Sequence, residues 1–191
     1  MSLDSFAAIV LAGGRGSRLG GADKASIEVD GRTLLAHALE AVVDAAEVVV
    51  VGTQVPTDRP VTFVREDPAY GGPVAGLLTG RDALFGSFAT VAVLAVDMPR
   101  VTTTTIRRLR DAAEGRDGAA LTDPGGHRQL ALVLRTAGLD AARPPLEEQH
   151  GASLHSLLAP LDLAAVPAHD REHRDVDSWT DLRDLADPGP E

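Results

Sequence analysis

The chain has 191 residues, a formal net charge of -10 at pH 7 and no cysteine, so it can bury one sizeable core but cannot use disulfides, thiolate nucleophiles or Cys-bound zinc. The acidic balance and an aromatic content of 3% argue against nucleic acid and anionic membranes as partners. No apolar run approaches the roughly 20 residues that cross a bilayer, and Met1-Ser2-Leu3-Asp4 lacks the basic region of a signal peptide, so a cytoplasmic protein is expected.

Phe6-Ala7-Ala8-Ile9-Val10 reads as a buried strand. It feeds a glycine-rich loop, Leu11-Ala12-Gly13-Gly14-Arg15-Gly16-Ser17-Arg18-Leu19-Gly20-Gly21-Ala22-Asp23-Lys24. Glycines let the backbone approach a ligand and turn several N–H groups toward anionic oxygens. Arg15, Arg18 and Lys24 add positive charge, so the loop suits a phosphorylated ligand. It is not a P-loop, because Lys24 is preceded by Asp23 and followed by Ala25. A dinucleotide fingerprint starting at Gly14 and Gly16 fails at Leu19, where its third glycine belongs.

Residues 27–32 suit a short strand or extended loop ended by Gly31. Thr33 can cap a helix over 34–43, with Leu34, Leu35, Ala38, Leu39, Val42 and Val43 on one face. The β-branched run Val48-Val49-Val50-Val51 predicts a strand buried on both faces of a parallel sheet. Thr53 follows at its carboxyl end, where open α/β sheets bind ligands, and is a candidate base or ribose contact. A strand over 61–64 and a helix starting near Pro73 come next. The most apolar strand, 90–96, ends at Asp97-Met98-Pro99. A carboxylate there must face the cleft, a metal or a cation, and Asp97 is read as a magnesium ligand.

Thr102 to Thr105 open a helix with Ile106, Leu109, Ala112 and Ala113 inward and Arg107, Arg108 and Arg110 on a solvated face. A strand over 119–122, a turn or hairpin over 123–129 and a strand over 130–134 follow. Arg143-Pro144-Pro145 breaks the next helix, and a short amphipathic one covers 153–158. His169 and His173 have helical spacing but sit in a charged turn, with no persuasive metal pattern. The strand and helix alternation predicts a single three-layer α/β domain over 1–185 with a mostly parallel sheet, and 186–191 as a flexible tail.

The glycine loop resembles the L-A-G-G-x-x-x-R-[ML]-G-x-D-K signature of small nucleotidyltransferases, most closely the molybdenum cofactor guanylyltransferases, with one extra residue before Asp23-Lys24. Gly72-Pro73-Val74-Ala75-Gly76 resembles their G-P-L-A-G segment, and Asp97-Met98-Pro99 their metal-carrying D-x-P. The resemblance implies a Rossmann-like, GT-A-like α/β/α nucleotidyltransferase that binds GTP through Leu11, Ala12, Gly13, Gly14, Arg15, Lys24, Thr53, Asp67, Gly72, Gly76 and Asp97. Asp67 is expected to accept from the guanine N1–H and exocyclic amine. Lys24, Arg18 and Asp97 are the expected catalytic residues, and Mg²⁺ the cofactor.

The stretch Asp123-Pro124-Gly125-Gly126-His127-Arg128-Gln129 resembles the region where that family's second substrate approaches, though without its proline. This makes His127 and Arg128 candidate phosphate contacts. Arg174-Asp175-Val176-Asp177-Ser178-Trp179 resembles the family's N-x-N-T-P segment, with Asp replacing Asn twice and Ser-Trp replacing Thr-Pro. Asp177 becomes a candidate second metal ligand and Asp175 a candidate contact to the acceptor.

The resemblance therefore implies transfer of GMP from GTP to molybdopterin with release of pyrophosphate. Transient contact with cofactor-biosynthesis or acceptor proteins also follows. The paired aspartates are also found in cytidylyltransferases, which leaves cytosine as a rival base. A noncatalytic nucleotide-binding adaptor is the rival from another class.

Overall fold

A computed structural model describes residues 5–13, 23–67, 69 and 71–186. Strand β1 spans Ala7–Leu11. A two-stranded hairpin follows, β2 (Glu28–Val29) and β3 (Arg32–Thr33). It turns on Asp30 and Gly31 with φ of 52° and 75°, the paired positive values that a two-residue Asp-Gly hairpin turn needs. Helix α1 (Leu34–Ala41) is capped by the Thr33 hydroxyl, which accepts from the Ala36 N–H. The helix ends earlier than its apolar pattern suggests. Val42 leaves helical geometry at φ -107°, so Val43 turns outward and is 53% exposed.

Strands β4 (Glu47–Val51) and β5 (Thr62–Val64) precede helix α2 (Pro73–Asp82). Strand β6 (Thr90–Ala95) then leads to helix α3 (Thr103–Ala112), which starts with a reciprocal capping box between Thr102 and Thr105. Strands β7 (Gly118–Thr122) and β8 (Arg128–Arg135) form a hairpin. Three short helices follow: α4 (Thr136–Ala142), α5 (Leu146–Gln149) and α6 (Leu154–Leu158). Strand β9 (Leu163–Pro167) and helix α7 (Trp179–Ala186) complete the described chain. The sequence reading missed these last two elements.

The seven strands of the main sheet run in the order β5-β4-β1-β6-β8-β7-β9. Only β8 lies antiparallel to its neighbours; the other pairings are parallel. Alternate residues of each strand enter two separate apolar layers. Ala8, Val10, Val48 and Val50 pack with Leu34, Leu35, Ile106 and Leu109. Ala7, Ile9, Val49 and Val51 pack with Leu77, Leu78, Leu139 and Leu157. Helices thus cover both faces, giving the expected three layers.

The arginines of α3 do not all face solvent. Arg107 pairs with Asp44 at 2.7 Å, Arg108 bonds the Glu172 carboxylate and the Pro167 carbonyl, and Arg110 lies 4.3 Å from the centroid of the Phe6 ring. Arg107 stays on the solvated face as expected, whereas Arg108 and Arg110 are half-buried against partners from distant segments. No helix among the described residues is long and apolar enough to cross a membrane.

Candidate active site

From β1 the chain crosses to β4 and β5 on one side, then returns over it to β6 on the other. This reversal opens a crevice at the carboxyl ends of β1, β4 and β6. A cleft of about 570 Å³ lies there, within the usual range for a small-molecule site. Leu11, Ala12, Gly13, Thr53, Gly72, Gly76 and Asp97, all expected at the nucleotide, line it. Gly14, Arg15 and Arg18 lie outside the described residues.

The glycines in the wall have separate physical reasons. Gly72 precedes α2 at φ 89°, a backbone conformation that a side chain would strain. Gly76 sits one turn into the helix, where a Cβ would stand 2.7 Å from Glu66 Oε1 and 3.5 Å from Leu11 Cδ2. That missing methyl leaves room for a carboxylate.

Glu66 therefore enters the cleft, next in sequence to Asp67, the residue expected at the base. Glu66 lines the cleft and its Oε2 accepts from the Gly71 N–H at 2.8 Å. Among the described residues no donor reaches Oε1. Asp67 is exposed and is not among the described residues of the wall. Strand alternation could have signalled this. Val64 packs against the α2 layer while Phe63 packs against the other, and Glu66 continues the period of Val64. Arg65, also in the wall, donates to the Thr53 hydroxyl at 3.1 Å.

Lys24 opens a short 3-10 turn whose cap, Asp23, accepts from the Ala25 N–H. Its Nζ lies 2.8 Å from Asp97 Oδ2 and 2.6 Å from Asp177 Oδ1. Burial works against the ammonium, but hydrogen bonds to Asp177 and Asp97, with their charges, outweigh it and raise the Lys24 pKa. Asp97 lies two residues beyond the end of β6, and its carbonyl accepts from the Val176 N–H at 2.8 Å. Asp181 fixes the neighbouring backbone, with Oδ2 accepting from the N–H groups of Asp177 at 3.0 Å and Ser178 at 2.6 Å. The sequence reading did not single out Asp181.

Two carboxylate oxygens that already converge on one cation are a donor set suited to Mg²⁺ or Mn²⁺, which take one or two carboxylates with phosphate and water. Among the described residues no three His, Asp or Glu side chains form a metal-holding group, so phosphate or water would have to supply the remaining ligands. Asp175 is adjacent. Burial, then the charges of Asp177 and Asp97, push its carboxyl pKa up.

The expected acceptor contacts are placed less directly. Leu94 of β6 pairs with Ala131 of β8, which brings the 127–130 segment beside the β6 terminus, and Leu130 lines the cleft. Arg128 is exposed at the start of β8. His127 is tied to its own turn, its backbone N–H and Nδ1 meeting Asp123 at 2.9 and 3.1 Å.

A buried anchor supports the acidic segment from behind. Glu172, on the turn before Asp175, accepts from the Thr105 hydroxyl at 2.5 Å, Arg108 Nη1 at 3.0 and 3.1 Å and the His169 N–H at 2.7 Å. This network fastens the segment to α3.

The chain resembles known proteins in sequence and in shape. A molybdenum cofactor guanylyltransferase of Pseudomonas entomophila (strain L48) is 32% identical over 165 residues, 83% of each chain. The molybdopterin-guanine dinucleotide biosynthesis protein A of Archaeoglobus fulgidus superposes with a TM-score of 0.71 at 20% identity, covering 94% of this chain and 96% of that one. Rv0371C of Mycobacterium tuberculosis H37Rv, solved in complex with manganese, gives a TM-score of 0.71 at 17% identity over 95% and 97% of the two chains. Residues 8–170 match the MobA-like NTP transferase domain, and with a glycine loop, a switch-point cleft and a lysine between two aspartates, the chain belongs to that family of nucleotidyltransferases.

Proposed function

We propose that this protein transfers GMP from GTP to molybdopterin, releasing pyrophosphate, as a cytoplasmic enzyme built from one nucleotidyltransferase domain over 1–185. The observation that carries the reading is Lys24 held between Asp97 and Asp177 at the glycine-loop cleft. It is supported by a relative named molybdenum cofactor guanylyltransferase.

In this reading a phosphate oxygen of the acceptor attacks the α-phosphorus of GTP. The bond from that phosphorus to the bridging oxygen breaks, and pyrophosphate leaves with the electron pair. No enzyme nucleophile is needed, which fits a chain without cysteine. The glycine-loop amides, Arg15, Arg18 and Lys24 neutralise the triphosphate and the charge that builds on the leaving group. Mg²⁺, held by Asp97 and Asp177, would supply further charge stabilisation at the phosphoryl oxygens.

Glu66 takes the base-reading role. Its carboxylate accepts from the guanine N1–H and exocyclic amine, whereas cytosine and adenine each set a ring acceptor beside their amine. Thr53 and the Gly72–Gly76 wall bound the nucleoside, and His127, Arg128 and Asp175 face the acceptor.

The test is Mg²⁺-dependent pyrophosphate release with molybdopterin, comparing GTP, CTP, ATP and UTP. Release with GTP alone is expected. A preference for CTP would overturn the base assignment, and nucleotide binding without release from any of the four would favour the adaptor.

A further inference from the structure

The Lys24 ammonium occupies the point on which the Asp97 and Asp177 carboxylates converge. Its distances, 2.8 and 2.6 Å, are those of close charge-assisted hydrogen bonds. A divalent cation shared by the same two oxygens would sit about 2.0–2.1 Å from each. Ammonium and metal therefore exclude one another from that position.

The three groups differ in freedom. Asp97 is set by the strand end and by the bond from Val176, and Asp177 by Asp181. The Lys24 backbone is fixed by the 3-10 turn and the buried Ala25 that follows it. The backbone of all three is held, and of the three side chains the four-carbon stem of Lys24 gives the longest reach away from the shared point. The glycine loop that immediately precedes Lys24 is where triphosphate oxygens would offer the ammonium another set of acceptors.

We infer that Lys24 is the resident cation of the Asp97–Asp177 site in the nucleotide-free protein, and that a triphosphate draws it away as the divalent ion enters. Nucleotide and metal then bind with positive coupling, each strengthening the other by the same factor. The inference rests on the nucleotidyltransferase reading above and adds an order to it: the metal site opens when phosphate arrives. Lys24 offsets one of the two aspartate charges, so the site attracts stray cations less strongly until then.

If Lys24 fills the site nine-tenths of the time, only about a tenth of the molecules are open to metal, and removing it tightens apparent affinity about tenfold. The experiment titrates metal-stripped, nucleotide-free protein with Mn²⁺ and follows the free ion by electron paramagnetic resonance. Lys24→Met is expected to bind Mn²⁺ at least about tenfold more tightly than wild type, and Lys24→Arg to stay near wild type. Arg65→Met, which deletes a different cation of the same cleft, controls for charge acting through space and is expected to change affinity less than about threefold.

Adding Asp97→Asn to Lys24→Met should erase the gain. Equal affinity in wild type and Lys24→Met would overturn the inference. So would an equal gain in Arg65→Met, or a gain that survives loss of Asp97. No nucleotide or acceptor is present, so a wrong base or acceptor in the transfer assay leaves this result untouched.

Discussion

Gly76→Ala separates stability from function more cleanly than any other substitution in the cleft. Glycine in a helix interior costs about 1 kcal/mol relative to alanine, so the change by itself favours α2. The new Cβ would stand 2.7 Å from Glu66 Oε1, against the roughly 3.4 Å at which ordinary contact begins, and the carboxylate must retreat by about 0.7 Å. The obstructing atom is the far end of a flexible side chain, so the fold absorbs the move.

The bond from Gly71 to Glu66 Oε2, 2.8 Å long, would then approach the limit of a hydrogen bond. Oε1 would be displaced from the position in which the proposed reading has it meet the base. Losing a hydrogen bond to a charged group costs about 1.5–3 kcal/mol, which is roughly one to two powers of ten in rate. The expected result is a thermal midpoint unchanged or raised by up to about 4 °C, with kcat/KM for GTP reduced by about ten- to a hundredfold. Calorimetry and pyrophosphate release measure the two halves. A variant that keeps wild-type kcat/KM would refute the placement of Glu66 at the base.

Lys24→Ala should lower kcat by at least about a hundredfold, the usual cost of deleting a group that stabilises transition-state charge; turnover within a few fold of wild type would exclude that role. Glu172→Ala leaves Arg108 without its carboxylate and Thr105 without its acceptor, and should destabilise the protein by about 3–5 kcal/mol in urea unfolding. A loss below about 1 kcal/mol would show that the segment is held elsewhere. Gly118→Ala places a Cβ 2.3 Å from the Val133 carbonyl oxygen and 3.1 Å from the Leu134 Cα. Because paired backbone cannot swing aside, about 1–3 kcal/mol should be lost, which a wild-type unfolding curve would contradict.

Strand-forming runs with a single period gave up their secrets readily. Val48 to Val51 is apolar at every position because both faces of β4 are covered, and Asp97 stood out because a carboxylate cannot end such a strand without a partner. What escaped detection depended on contacts between distant segments. Strand β9 is short, lies at the sheet edge and ends in Pro167, so its pattern is weak and its pairing with β7 decides it. That Glu66 lines the cleft, with Asp67 exposed, turned on which side of an extended segment faces α2. The role of Glu172 depends on α3, some 67 residues earlier, which supplies Thr105 and Arg108.

Lys24 and Asp177 are separated by 153 positions in the chain, and the sheet between them can form without their meeting. Once the sheet has formed, the stretch from β9 to Asp177 is held by the Glu172 anchor, a few polar contacts and the buried Val176. The segment carrying Asp177 can therefore open while the strands remain protected from hydrogen exchange. Mild denaturant should silence the enzyme before it unfolds, which makes turnover an early gauge of how tightly the acidic segment is docked.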